Sequence, residues 1–240
     1  MLVNVNNYNL VIYTDEKGCS LFQPYLHSKI KVVVKPYENF YTYQFKEDWI
    51  RNHKSNVLLN NSVDWKVNML WSEKIHFVNE TIKQQYFVTD YYGWCDIGYF
   101  RGRSCDLDVH TLKMWPSPSK INSLAKDKIY YALVNNDGRF VDYIYNIVNN
   151  KTADGVPSQP IPPNQCTIAG GFFILHHDTM NWWHTTYYNK LKLYFAHKQL
   201  VKDDQIILAD CIFSNIQKFC LCVEQNPQFD NWFMFQRILL

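Results

Sequence analysis

The sequence has no charge excess, no long apolar run and no paired cysteine spacing, and each absence removes a class of function. Lys and Arg number 24 against 22 Asp and Glu, a formal net charge of +2. That balance gives no electrostatic case for a nucleic-acid partner or an anionic membrane surface. No apolar run approaches the ~20 residues of a membrane span, so no transmembrane segment is expected. The longest candidate, Ile168 to Leu175, stops at His176, His177 and Asp178. The start of the chain, Met1 to Asn7, lacks a basic stretch followed by an apolar one, so no signal peptide is expected. The seven cysteines are odd in number and lack the paired spacing of a zinc site. Cys220 and Cys222 read as alternating positions of a strand, and the set reads as reduced thiols of a cytoplasmic protein. No internal repeat, heptad array or low-complexity tract is present.

What is present is material for a core. Hydrophobic residues make up 47% and aromatic residues 17% of the 240, a composition that packs and does not stay disordered. The length fits one large domain or two small ones, and one domain spanning 1–240 is expected. Asn9 to Tyr13 and Lys31 to Val34 read as strands, the first closed by Thr14 and Asp15 before Gly18, so Asp15 falls at a sheet's carboxyl edge. The aromatic stretch Tyr37 to Phe45 reads as a loop that packs its rings over the core, the alternative being a platform for a sugar or base. From Val63 to Tyr86 the apolar residues Val67, Trp71, Ile75, Val78 and Ile82 recur at helical spacing, with Lys74 at the edge of the stripe. Ile129 to Val134 is a further strand. Gly155 and four prolines between Asn149 and Asn164 predict a long loop, either a lid or a seam between two lobes. Cys166 to Leu175 is a strand interrupted by Gly170 and Gly171, a pairing that marks a bulge or a close approach. Asp178 then suits the N-cap of a helix carrying Trp183, Tyr187, Leu191 and Phe195. A metal pairing of His177 with His184 is conceivable but poorly spaced. A helix over Asp203 to Ser214 and a strand over Phe219 to Val223 follow. Strands and helices alternate, which predicts an α/β fold with a mostly parallel central sheet flanked by helices.

The stretch with most chemical content is Tyr91 to Arg103. An aromatic strand ends there at Asp96 and Gly98, followed by Arg101 and Arg103. In an open α/β sheet, ligands bind beyond the carboxyl ends of strands, so Asp96 would stand at the mouth of a pocket. The arginines match an anion, since a guanidinium fork fits phosphate geometry. The plainer reading is a strand-ending turn with a capping Asp and solvated arginines.

These segments together resemble a known family. The carriers are Met69 to Lys74 (Met-Leu-Trp-Ser-Glu-Lys), Phe87 to Arg101 with its Trp-Cys-Asp-Ile-Gly core, and Ile168 to Phe173. The helix from Trp182 and Trp183 to Tyr194, Asp203 to Leu208, and Trp232 to Phe235 follow in the same order. The chain resembles the HtrL/YibB-like (WlaTC-type) group, regarded as glycosyltransferases, over nearly its whole length from Asn9. The resemblance implies a single GT-A-type, Rossmann-like domain. It implies transfer of a sugar from a nucleotide-diphosphate donor to a glycan or other hydroxyl acceptor. The usual Asp-x-Asp metal motif is represented here by Asp96, Ile97 and Gly98, with one carboxylate.

Sugar transfer builds negative charge on the departing phosphate, which a divalent cation or basic side chains stabilise. Mg²⁺ or Mn²⁺ takes oxygen ligands, and one carboxylate plus the diphosphate and waters suffices. Asp96 is therefore the candidate metal ligand. Asp15, Lys74, Gly98, Arg101, Gly170 and Gly171 are the candidate donor-binding residues. Asp204 is the candidate general base and Gln205 an orienting residue beside it. Two other classes fit the same residues: a non-catalytic carbohydrate-binding protein using surface aromatics, and a metal-dependent phosphohydrolase using Asp15, Asp96 and Asp203 or Asp204.

Overall fold

The computed structural model describes residues 2–101, 107–108, 110–135 and 137–240. Arg103 and Cys105 lie outside these residues. Six strands among them form two sheets. β1 (Leu10–Thr14) and β2 (Ile30–Val34) pair in parallel, joined by α1 (Glu16–Phe22). β3 (Tyr91–Cys95), β4 (Ile129–Leu133), β5 (Ile168–His176) and β6 (Phe219–Cys222) form the larger sheet in the order β3-β5-β4-β6. The helices are α2 (Lys46–Ser55), α3 (Trp65–Trp71), α4 (Lys74–Lys83), α5 (Pro118–Asn122), α6 (Gly138–Asn149), α7 (His177–Ala196), α8 (Asp204–Ser214) and α9 (Phe235–Ile238).

The mixed α/β class matches expectation, but the larger sheet is not mostly parallel. β5 runs antiparallel to both β3 and β4, and only β4 and β6 pair in parallel. β5 therefore runs opposite to the three other strands, and β3 and β4 still point the same way. Periodicity cannot reveal this, because a strand buried on both faces reads as one apolar run whichever way it points. Its alternation does show in the packing. Phe173 and Leu175 enter a core with Trp183, Tyr187 and Ile207, whereas Ala169, Phe172 and Ile174 enter one with Tyr99, Trp115 and Phe235.

The expected Val63–Tyr86 helix is two helices with a break at Ser72 and Glu73. Hydrogen bonds from outside the helix hold that break. Ser72 Oγ accepts from the Tyr187 hydroxyl at 3.2 Å, and its carbonyl accepts from Tyr188 at 2.9 Å. The Glu73 carboxylate accepts from the amides of Tyr41 and Thr42 at 2.6 and 2.9 Å, and from the Thr42 hydroxyl at 2.6 Å. Those bonds pin the aromatic stretch, which forms two short 3₁₀ turns packed against the core. Burial raises the Glu73 pKa to about 7. α2 carries too few apolar residues to announce itself, but its Trp49 is wholly buried against Phe195, with centroids 4.8 Å apart.

The α7 N-cap is His176, not Asp178. The His176 ring nitrogen accepts from the Asp178 amide at 3.4 Å, which places Asp178 inside the first turn. The 149–164 stretch has little regular structure, yet it buries Val156 and Ile161 in the main core. Lys151 at its start meets the wholly buried Asp210 of α8 at 2.6 Å. Lys190 at 3.2 Å, Tyr194 at 2.8 Å and Ser214 at 2.9 Å complete the Asp210 shell. Among the described residues no helix is long and apolar enough to cross a membrane.

Removing one member of a buried charge cluster strands the others, typically at about 3–5 kcal/mol. Asp210→Ala is expected to lose roughly that much in urea unfolding. A loss under about 1 kcal/mol would show that Lys151 and Lys190 are held by something else.

Candidate functional site

The site is organised by a buried ammonium. Lys74 is the first residue of α4, and the break at Ser72 and Glu73 turns it inward, leaving it 7% exposed. An ammonium has three protons to donate and no acceptor. Lys74 Nζ finds the Gly170 carbonyl at 2.8 Å, Asp96 Oδ1 at 3.2 Å and Asp204 Oδ2 at 3.2 Å. The three partners come from β5, the end of β3 and the start of α8, so one side chain joins four elements. Burial works against the charge on Lys74, but Asp204 and Asp96 beside it raise its pKa above the ordinary value.

Each partner is positioned by its own element. Asp96 follows β3 directly; its amide donates to the Gly171 carbonyl at 2.9 Å and its Oδ1 accepts from Trp94 Nε1 at 2.5 Å. Trp94 stacks on Phe77 of α4, which stacks on Tyr13 of β1, so the smaller sheet leans on the same column of rings. With a side chain 40% exposed, Asp96 is the member of the cluster that faces solvent.

Gly170 lies where β5 is irregular: the register with β4 shifts between Tyr131, opposite Phe173, and Leu133, opposite Ile168. The expected bulge is there. It leaves the Gly170 carbonyl to Lys74, and a Cβ at Gly170 would sit 2.7 Å from Asp204 Oδ2. At Gly171 a Cβ would come within 3.4 Å of Asp96 Oδ2. The paired glycines thus mark close approach of two carboxylates to backbone.

Asp204 opens α8 behind its N-cap Asp203, whose carboxylate accepts from the Gln205 amide at 3.1 Å and pairs with Lys202 at 2.7 Å. Burial raises the Asp204 pKa to about 7; Lys74 pulls against the rise, and Asp203 and Asp96 add to it. A cavity of about 10 Å³, walled by Trp71, Tyr131 and Tyr187, adjoins Lys74, Gly170 and Asp204. That is room for about one water.

Lys74, Asp96, Gly170, Gly171 and Asp204 therefore converge. Other candidates are occupied elsewhere. Gln205 is buried and donates to the Ile168 carbonyl at 3.0 Å, tying α8 to β5 instead of facing a substrate. Arg101 turns back on its own loop: its Nε donates to the Gly98 carbonyl at 2.6 Å, and its guanidinium lies over Phe233. Asp15 caps α1, accepting from the Gly18 amide at 2.7 Å. Asp96 and Asp204 meet at Lys74, while Asp15 and Asp203 accept the Gly18 and Gln205 amides as N-caps. His184 pairs with His76 at 3.0 Å and not with His177. Trp94 was the residue sequence reasoning passed over. Its place two residues before Asp96, on the same face of the strand, was the signal.

Comparison with protein-family models, with curated proteins and with solved structures gives no match for this chain.

The cluster predicts a pH dependence with a definite sign. The Asp204 pKa rises from 3.8 to about 7 on folding, so the folded chain binds the extra proton. Its contribution to stability therefore falls as pH rises from about 4 to about 7, at no more than ~1.4 kcal/mol per pH unit. Glu73 acts in the same direction. Burial lowers His76 to about 3 and His184 to about 4, which acts in the opposite direction. Chemical unfolding of the parent and Asp204→Asn across this range isolates the Asp204 part. The variant should lose less stability, or gain more, with rising pH than the parent; parallel curves would show that Asp204 titrates normally.

Proposed function

We propose that the protein is a glycosyltransferase moving a sugar from a nucleoside-diphosphate donor to a hydroxyl of a glycan or other acceptor. The observation that carries the reading is the meeting of Lys74, Asp96 and Asp204 at the Gly170–Gly171 bulge. All three belong to the motifs by which the chain resembles that family. The direction of β3 and β4 supports it too, because Asp96 lies beyond the carboxyl end of β3, where α/β sheets take ligands.

Asp96 would hold the donor end of the site. Its carboxylate is anchored on one side by Trp94 and Lys74 and open on the other, which suits a single-carboxylate ligand for Mg²⁺ or Mn²⁺. Such a cation, when bound, would offset charge on the leaving diphosphate. Lys74 supplies a fixed positive charge behind Asp96 and holds its orientation, so little reorganisation is needed as charge develops. Asp204, held close to neutral pH in its titration, is suited to accept the acceptor's proton through one intervening water, within the reach allowed a general base. Gly170 and Gly171 keep backbone close to both carboxylates. The aromatic stretch Tyr37 to Phe45 packs inward, which leaves the carbohydrate-binding alternative without its platform there.

Calorimetric titration with nucleoside diphosphate plus Mn²⁺ tests the donor half. Asp96→Asn keeps the Trp94 and Lys74 neighbours and is expected to lose the Mn²⁺-dependent part of binding. Unchanged affinity would remove Asp96 from the site. For the acceptor half, a screen of nucleotide sugars for Mn²⁺-dependent hydrolysis supplies the assay. Asp204→Asn is expected to lower turnover by about 10²–10⁴-fold with donor binding little changed. Turnover near the parent rate would place the base elsewhere.

A further inference from the structure

A second cluster of donor groups lies at the other end of β3. Asp90, His176 and His177 each place a ligand-type atom so that all three lie within 4.8 Å of one another. The backbone assembles them. Tyr91 opens β3 and His176 closes β5, and these two residues are partners in the antiparallel register. The His177 amide donates to the Asp90 carbonyl at 2.9 Å, locking the strand entry to the start of α7. Main-chain pairing thus sets the three residues side by side.

The surroundings suit a cation. Asp178 puts Oδ2 3.2 Å from His176 Nδ1 and Oδ1 3.1 Å from His177 Nδ1, so one carboxylate faces both rings. A carboxylate behind a ligating histidine fixes its tautomer and ring orientation, a role Asp178 has at His177, since His176 Nδ1 accepts from the Asp178 amide. The two imidazoles stack with centroids 4.4 Å apart. His176 is buried at 3% exposure, whereas Asp90 and His177 are exposed and leave a path from solvent.

We propose that Asp90, His176 and His177 form a Zn²⁺ site, with Asp178 as a positioning residue. Two imidazole nitrogens and one carboxylate oxygen suit zinc, whereas Mg²⁺ and Ca²⁺ take all-oxygen sets. Donors around tetrahedral zinc stand about 3.4 Å apart, so closing the cluster takes side-chain movement of about an ångström. β3 separates this site from Asp96 by five strand residues at ~3.3 Å each. A zinc here therefore touches neither Lys74 nor Asp204. It would staple the entry of β3 to the β5–α7 junction.

The test uses the full chain stripped of metal, titrated with Zn²⁺ alone against a chromogenic chelator, and with Co²⁺ as a spectroscopic substitute. One equivalent is expected to bind, with visible Co²⁺ d–d absorption and no thiolate charge-transfer band. His177→Ala and Asp90→Asn, both at exposed positions, should each weaken binding by more than about 100-fold, and Asp178→Asn by about 10–100-fold. The paired change His76→Gln with His184→Gln should leave Zn²⁺ affinity unchanged. The proposal is overturned if His177→Ala and Asp90→Asn bind Zn²⁺ as tightly as the parent, if a thiolate band identifies cysteine ligands, or if the parent shows no saturable binding.

Discussion

A lysine cannot be buried without acceptors for its three protons, and much of this molecule is arranged to supply them to Lys74. The break between α3 and α4 turns the side chain inward, and the irregular stretch of β5 exposes a carbonyl to it. The carboxylates that end β3 and begin α8 then share its charge. Removing the ammonium would leave two carboxylates facing each other in a site of low dielectric. Removing either carboxylate would leave a buried cation short of a partner. Neither defect is cheap, because an uncompensated buried charge costs several kcal/mol. The arrangement holds the larger sheet, its flanking helices and the solvent-facing Asp96 in one register.

The column Tyr13, Phe77 and Trp94 extends this order to the smaller sheet. Trp94 belongs to both systems, since its ring stacks on Phe77 while its indole nitrogen orients Asp96. Lys35 and Glu80 pair beside the same column. Packing and electrostatics thus meet at one side chain, so a change at Trp94 would disturb the position of Asp96 as well as the core.

The strands and most of the longer helices were legible because each is an apolar pattern with local punctuation. The convergence of Lys74, Asp96, Asp204 and the two glycines was legible through ordered motifs, although no periodicity places those residues side by side. What stayed hidden is what local pattern does not encode. The direction of β5 depends on how the chain returns after the 149–164 stretch, and an apolar strand reads alike in both directions. The split of the Val63–Tyr86 helix is caused by Tyr187, Tyr188, Tyr41 and Thr42, all distant in sequence. Gln205 and Arg101 look functional by type and position, yet their donors are spent on Ile168 and Gly98. The grouping of Asp90 with His176 and His177 requires the antiparallel pairing of β3 with β5, which a parallel sheet would not produce.

Helix α8 is buried from Asp204 through Phe213 on every side. A helix without a solvent face has no water to take over its amide bonds during small fluctuations, and its neighbours α6, α7 and β5 all pack on it. Opening it requires those neighbours to separate, which amounts to unfolding the domain. Its amide protons should therefore be among the slowest in the molecule to exchange with deuterium. The proposed base at its first residue is mounted on a part of the chain that moves only when everything does.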